Sequence, residues 1–162
     1  MSPQTSLETI REFLAQKRIA MIGVSREPGS FSVMLFQELL RCGYDVVPVN
    51  PYTPNVLGHP CFAGVRDVAP PVKVALLLTS PQVTETVVAD CARAGIRLVW
   101  MHRGVGRGAV SPSAIAFCHA QGIEVIAGQC PFMFLPASGG VHRLHGFFRK
   151  ITGRYPQAKP AA

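Results

Sequence analysis

The residues best suited to chemistry form a loop rich in glycine and serine. It runs from Gly23 to Ser32, reads Gly-Val-Ser-Arg-Glu-Pro-Gly-Ser-Phe-Ser, and leads from an apolar run into a helical pattern. The free N–H groups and the dipole at the start of a helix favour a bound phosphate. Further donors would come from the side chains of Ser25, Arg26, Ser30 and Ser32. The loop therefore predicts a phosphate-binding site.

The spacing within this loop excludes two common nucleotide-binding motifs. Gly23 and Gly29 stand six residues apart, which fits neither G-x-G-x-x-G nor G-x-x-x-x-G-K-[ST], and the lysine of a P-loop NTPase is missing. A dinucleotide dehydrogenase usually carries an acidic residue at the end of its second strand, where this chain has Asn50. A βα connection without any ligand is the structural alternative.

The elements that must position the loop alternate along the chain. Short apolar runs predict strands at Ile19–Val24, Asp45–Val49, Val74–Thr79, Ile96–Met101 and Ile123–Ala127. Capped helical patterns alternate with them at Phe31–Cys42, from Ser80 to Ala94 and from Ser111 to His119. Such repeated βα units predict an α/β fold, with a Rossmann-like, doubly wound parallel sheet of about five strands in a three-layer α/β/α arrangement.

Both ends of the chain lie outside this alternation. Thr5 and Glu8 have capping-box spacing, which predicts a short opening helix, peripheral to the sheet. With 162 residues the chain should form a single domain over residues 1–156, with its core at about 17–131. A basic C-terminal helix is predicted at about 140–152, followed by a disordered tail at 157–162.

In an open α/β sheet, ligands bind outside the carboxyl ends of the strands, so the candidate site residues follow the predicted strands. After the first strand they are Gly23, Val24, Ser25, Arg26, Glu27, Pro28, Gly29, Ser30 and Ser32. After the next three they are Asn50, Pro51 and Thr53, then Thr79, Ser80 and Pro81, then Met101, His102, Arg103 and Gly104. Cys130 follows the fifth strand.

Several phrases, taken in order, resemble a known family. Gly23-Val-Ser-Arg-Glu-Pro-Gly-Ser-Phe31 aligns without a gap to Gly-Phe-Thr-Gly-Ser-Gln-Gly-Thr-Phe of the succinyl-CoA synthetase α subunit. Val46-Val-Pro-Val-Asn-Pro51, Leu98-Val-Trp100 and Cys130-Pro131 are similar to phrases of its stand-alone relatives. Over about residues 17–131 the chain thus resembles the CoA-binding, Rossmann-like domain related to the amino-terminal domain of that subunit.

This resemblance implies that the ligand is coenzyme A or an acyl-CoA. Residues 25–28 would wrap its pyrophosphate, and Met101, His102 and Arg103 would match the family's contact after the fourth strand. The adenosine would lie toward residues 50–51 and 79–81, and the pantetheine would run past His102 to Gly104. Cys130 could meet the CoA sulfur in a mixed disulfide, although a small buried cysteine is the favoured interpretation.

The chain also departs from the synthetase. Thr53 stands where the synthetase has a lysine, Arg26 replaces a loop glycine, and Pro28 cannot donate an N–H. Either the cationic contribution has moved from the second loop to the first, or CoA binds more weakly or not at all. The phosphorylated histidine of the synthetase lies in a following domain, so we expect ligand binding here without catalysis.

Charge leaves two further hypotheses open. Sixteen Lys and Arg against nine Asp and Glu give a net charge of +7, which favours anionic partners. An NAD(P)-dependent oxidoreductase or redox-sensing domain could use the same crevice. The basic segment from Val141 to Ile151 could instead be an interaction module, for nucleic acid or anionic lipid, or for a second copy or another protein. Its histidines, His142 and His145, have no acidic or paired cysteine residue nearby to complete a metal site.

The remaining features predict where the protein resides. The odd number of cysteines, five, without a C-x-x-C pair indicates reduced thiols. Neither a secretory signal nor a membrane span is visible in the sequence, and no nucleic-acid-binding motif is present. We therefore expect a cytoplasmic protein with a small-molecule ligand.

Overall fold

The computed structural model describes residues 5–103 and 108–136. Its strands are β1 Arg18–Ile22, β2 Asp45–Val49, β3 Asn55–Val56, β4 His59–Pro60, β5 Val74–Leu77, β6 Leu98–Met101 and β7 Glu124–Ala127. Its α-helices are α1 Leu7–Ala15, α2 Phe31–Arg41, α3 Pro81–Arg93 and α4 Pro112–Ala120. Five strands form a parallel sheet in the order β2-β1-β5-β6-β7, while β3 and β4 form a separate antiparallel hairpin. The predicted Rossmann-like α/β fold is thus confirmed.

Local sequence signals start and stop the helices of this sheet. Ser30, Ser80 and Ser111 each accept a hydrogen bond from the backbone N–H three residues later, at the starts of α2, α3 and α4. Gly43, Gly95 and Gly122 follow the helix ends with φ of 85°, 76° and 69°. The helices α3 and α4 begin at the predicted caps Ser80 and Ser111, and α2 begins at Phe31 as predicted, because such signals act within one turn of the chain.

Helices cover both faces of the sheet, as expected for strands without charged residues inside. Side chains from α1 and α2 pack on one face, against residues such as Met21, Leu76 and Trp100. Side chains from α3 and α4 pack on the other, against residues such as Ala75 and Val99. Strands β5 and β6 are buried along their whole length, so the hydrophobic core lies on both sides of the sheet centre.

The expectation that the opening helix is peripheral was wrong. Phe13 of α1 is 2% exposed, and its ring meets the buried Trp100 edge-on at a centroid distance of 5.2 Å. Ser6, rather than Thr5, caps α1 by accepting from the Thr9 N–H at 3.1 Å. Thr5 is used for a tertiary contact, because its hydroxyl oxygen accepts from the Ala127 N–H at 3.1 Å.

One connection also departs from the regular βα alternation. Between β2 and β5 the chain forms the β3–β4 hairpin and a short 3-10 helix, Val65–Asp67, but no α-helix. Phe62 extends the edge of the sheet beside Val49 in a parallel bridge. This connection carries the chain from one side of β1 to the other, so that the order of strands reverses between β1 and β5.

No helix in residues 5–103 and 108–136 is both long and apolar enough to cross a membrane. All five cysteines are free. The predicted basic helix at 140–152 and the tail at 157–162 lie outside the described residues, so that the predicted division of the chain stays a prediction.

Candidate functional site

The first loop lies at the reversal point of the sheet, where α/β folds bind ligands. Gly23 ends β1 with φ of 91°, and its N–H donates to the Val49 carbonyl at 2.9 Å. A Cβ added there would lie 3.1 Å from both the Leu78 carbonyl carbon and the Thr79 methyl carbon. Gly23 therefore lets the loop pass closely between the ends of β2 and β5.

This close approach yields a first prediction for stability. Gly23→Ala combines a disfavoured positive φ with crowding against the backbone after β5, and should lower the free energy of unfolding by about 2 kcal/mol. Gly29→Ala is the matched control, because Gly29 also has a positive φ, 82°, but an added Cβ there would meet nothing within 4 Å. It should cost about 1 kcal/mol. Urea unfolding of both variants checks this, and equal losses would contradict the crowding at Gly23.

The serines of the loop hold its shape. Ser32 Oγ accepts from the Ser25 N–H at 2.9 Å and lies 3.2 Å from Ser30 Oγ. Ser25 Oγ in turn accepts from the Glu27 N–H at 3.0 Å. These bonds leave Arg26, Glu27, Pro28 and Gly29 as the exposed turn of the loop. Val24 is fully buried, so it can meet a ligand only through its backbone.

The second loop is tied to the first by Asn50. Its Nδ2 donates to the Val24 carbonyl at 2.8 Å, and its Oδ1 accepts from the Tyr52 N–H at 2.8 Å. A carboxylate could not donate the first of these bonds, which explains why an amide stands where dehydrogenases have an acid. Asn50 thus aligns two loops, while Pro51 next to it is exposed. Thr53 donates to the Asn55 carbonyl at 2.8 Å.

The third loop starts α3. Thr79 Oγ1 lies 2.7 Å from Thr84 Oγ1, and Ser80 Oγ accepts from the Val83 N–H at 3.4 Å. Pro81 is the first residue of the helix, where a missing N–H does no harm. This loop meets the first one through the contact between Gly23 and Thr79, so that the predicted residues after β1, β2 and β5 come together.

The fourth loop contributes one buried polar side chain. Met101 is fully buried in the core, Arg103 is exposed, and Gly104 lies outside the described residues. His102 is 9% exposed, and its ring stacks on that of Phe31, the first residue of α2, at 4.6 Å between centroids and 28° between planes. This stack joins the end of β6 to the loop after β1.

Burial sets the charge of His102. It lowers the pKa of the imidazole from 6.5 to about 4, so that the ring is neutral at pH 7. Its Nε2 is buried and has no hydrogen-bond partner within residues 5–103 and 108–136. The backbone is fixed on both sides, because His102 N–H donates to the Leu77 carbonyl at 3.1 Å and the Ala109 N–H donates to the His102 carbonyl at 2.8 Å.

The end of β7 lies beside this stack. Cys130 directly precedes the short 3-10 helix Pro131–Met133. It is 8% exposed, which agrees with the favoured interpretation of this residue as a small buried cysteine. Phe132 in that helix meets the Phe31 ring at 5.6 Å between centroids. Phe31 therefore bridges the strand ends of β6 and β7.

Sequence reasoning missed two residues of this region, Phe31 and Gln129. Gln129 is 6% exposed, and its side-chain Oε1 is buried without a partner among the described residues. Its carbonyl accepts from the Trp100 indole N–H at 3.0 Å. The position of a polar residue next to Cys130-Pro131 was visible in the sequence, but its burial depends on Trp100, 29 residues away.

The arrangement offers two chemically different surfaces. Around the first loop, exposed backbone and Arg26 lie at the start of α2, which suits an anionic group. Around Phe31, aromatic rings and the neutral His102 suit an uncharged group.

Known proteins share this architecture. The chain is 25% identical over 122 residues to the uncharacterized protein YneT of Bacillus subtilis, covering 75% of this chain and 87% of that one. A hypothetical protein from Pyrococcus horikoshii OT3 has a solved structure with a TM-score of 0.71 at 29% identity, covering 81% of this chain and 94% of that one.

A third relative is much larger. Over 94 residues the chain is 27% identical to the ADP-forming acetate–CoA ligase II of Archaeoglobus fulgidus, covering 57% of this chain. The chain spans only 14% of that ligase. Residues 17–136 match the family described as CoA binding domain, a range that includes every strand and the loops at the reversal point. The resemblance found in the sequence is thereby confirmed: the chain belongs to the CoA binding domain family and is related to domains of ADP-forming acetate–CoA ligases.

Proposed function

We propose that this protein binds coenzyme A or an acyl-CoA, with the pyrophosphate at the amino-terminal end of α2. The supporting observation is the first loop. Gly23 lets this loop pass between the ends of β2 and β5, so that its exposed turn, residues 26–29, lies at the reversal point. The first N–H groups of a helix have no partners within the helix and attract phosphate. Arg26 adds a cationic side chain where the loop faces solvent.

The other loops then receive the rest of the ligand. We place the adenosine toward Asn50-Pro51 and Thr79–Pro81, since these loops adjoin the first one across Gly23. The pantetheine would run past His102 toward Gly104, on the side of β6. Asn50 acts as a positioning residue in this arrangement, because both of its side-chain polar groups are engaged by backbone.

We further propose that the chain is a ligand-binding module without catalysis of its own. The described loops of the site contain six titratable groups, Arg26, Glu27, Tyr52, His102, Arg103 and Cys130, and the imidazole is buried against Phe31. Acyl or phosphoryl transfer needs a nucleophile held by a base, whereas His102 Nε2 has no hydrogen-bond partner among the described residues. A reaction would therefore depend on a partner that supplies the reacting groups.

Isothermal titration of the reduced protein with CoA and acetyl-CoA, at low and moderate salt, tests the proposal. NAD, NADP and ATP serve as controls, because each offers phosphates to the same loop. Selective micromolar binding of CoA is the expected result, and it should weaken as salt screens the phosphates. Micromolar binding of NADH without binding of CoA would overturn the proposal and establish the dinucleotide alternative.

A further inference from the structure

Two buried polar atoms without partners lie at neighbouring strand ends. Within residues 5–103 and 108–136 three buried side-chain nitrogen or oxygen atoms lack a hydrogen bond. They are His102 Nε2, Gln129 Oε1 and Arg18 Nε. Arg18 lies at the amino-terminal end of β1, whereas His102 follows the carboxyl end of β6 and Gln129 that of β7. Native proteins rarely keep buried polar atoms without a hydrogen-bond partner. The occurrence of two such atoms at the carboxyl ends of neighbouring strands therefore points to a ligand group that bonds to them.

Both residues contact elements on the face of the sheet that carries Trp100. His102 follows the buried Trp100 by two residues, and its ring stacks on Phe31 of α2. The Gln129 carbonyl accepts the Trp100 indole N–H, so Gln129 is held on the Trp100 side as well. Strands β6 and β7 end in register, with Met101 paired to Ala127.

Aromatic rings lie beside His102 and on the segment that follows Gln129. Phe31 contacts both His102 and Phe132, and Phe132 comes three residues after Gln129. The Trp100 and Phe134 rings meet at 5.9 Å between centroids. A phosphate or carboxylate placed among these rings would lose hydration that neither His102 nor Gln129, both uncharged, could replace with an opposite charge.

The hydrogen-bonding chemistry is that of neutral groups. At pH 7 the imidazole is uncharged because burial lowers its pKa, and a glutamine carries no charge. A neutral imidazole offers one ring N–H and one acceptor nitrogen, and the glutamine oxygen accepts. A secondary amide, with one carbonyl to accept from the imidazole N–H and one N–H to donate to the glutamine oxygen, carries the complementary groups for both residues.

We propose that His102 and Gln129 form a hydrogen-bonding subsite for an uncharged amide of the bound ligand, separate from the phosphate-binding start of α2. This inference rests on the proposed function and deepens it, since the pantetheine arm of CoA contains secondary amides. Gln129 becomes a specificity residue, which distinguishes ligands that carry the arm from nucleotides that lack it.

Variants that keep shape and remove the polar atoms test the subsite. His102→Phe retains a ring that can stack on Phe31, and Gln129→Met retains side-chain length. Each should weaken CoA binding by about 5- to 30-fold, the effect of one lost hydrogen bond to a buried group. Adenosine 3′,5′-bisphosphate keeps phosphates but lacks the amide arm, so its affinity should change by less than about twofold.

Thermal unfolding without ligand supplies a second readout. Removing a buried polar atom that has no partner relieves its desolvation, so both variants should melt at or above the wild-type Tm. Tyr44→Phe is the matched control, because the Tyr44 hydroxyl donates to the Leu14 carbonyl at 2.8 Å. Loss of that partnered hydroxyl should lower the Tm.

The outcomes separate the subsite from the function it serves. Unchanged CoA affinity in both variants, or equal weakening of CoA and the bisphosphate, would overturn the subsite and leave the proposed function in place. A Tm as low as that of Tyr44→Phe in both variants would also overturn it, because the atoms would then be bonded within the protein. Failure of the wild-type protein to bind CoA would overturn both proposals.

Discussion

Acidification is expected to destabilise the wild-type protein by about 2 to 3 kcal/mol more than His102→Phe between about pH 7.5 and about pH 4.5. In the unfolded chain the His102 imidazole takes up a proton near its ordinary pKa of 6.5, whereas in the fold burial lowers that pKa to about 4. Over this window the unfolded state binds more protons than the folded state. The stability that depends on keeping the His102 imidazole neutral is therefore fully present above pH 6.5 and is lost as the pH falls toward 4.

Urea unfolding at several pH values across this window measures the effect. The free energy difference between His102→Phe and wild type should widen steadily as the pH falls, because only wild type has this imidazole. His119→Gln is the control, since it removes an exposed histidine from α4. It should follow the wild-type curve. Parallel profiles for wild type and His102→Phe would show that the buried imidazole accepts a proton in the folded protein without penalty.

Much of the fold could be predicted because its signals are local. Ser80-Pro81 and Ser111-Pro112 start α3 and α4 as predicted, since a cap and a first-turn proline act through residues a few positions away. The strand β2 matches its predicted bounds, Asp45–Val49. Predicted strands elsewhere were too long by one or two residues, because apolar residues such as Val24 remain buried after the pairing ends.

Long-range contacts explain what the sequence could not predict. The sequence of α1 has the pattern of a peripheral amphipathic helix. In the structure its Phe13 packs edge-on against Trp100, which lies 87 residues later in the chain. Loop residues such as Ser25 and Asn50 were predicted to meet a ligand, and their role as positioning groups appears only from their hydrogen bonds to Ser32 and Val24. The environment of His102 depends on Phe31, which is apolar and carries no chemical signal of its own.

Arg26 places a positive charge in the exposed turn of the first loop. The ion pairs among the described residues join Arg18 to Asp45, Arg41 to Glu38 and Arg93 to Asp90, which leaves Arg26 outside them. It lies in the exposed turn whose backbone is fixed by Ser25 and Ser32. A cation that is not neutralised within the protein can be directed entirely at a ligand.

Arg26→Glu is therefore expected to lower CoA affinity roughly 10- to 100-fold at low salt, so that a Kd of about 1 μM would rise to about 10 to 100 μM. The substitution replaces attraction to the pyrophosphate by repulsion at the start of α2, and the loss should shrink as salt shortens the Debye length. Arg97→Glu is the control, because it changes the net charge by the same amount at an exposed position. Arg97 directly precedes β6 and so lies at the amino-terminal end of that strand, away from the loops of the site. If titration shows equal losses for the two variants, net charge alone drives the attraction; a loss confined to Arg26→Glu places the pyrophosphate at the first loop.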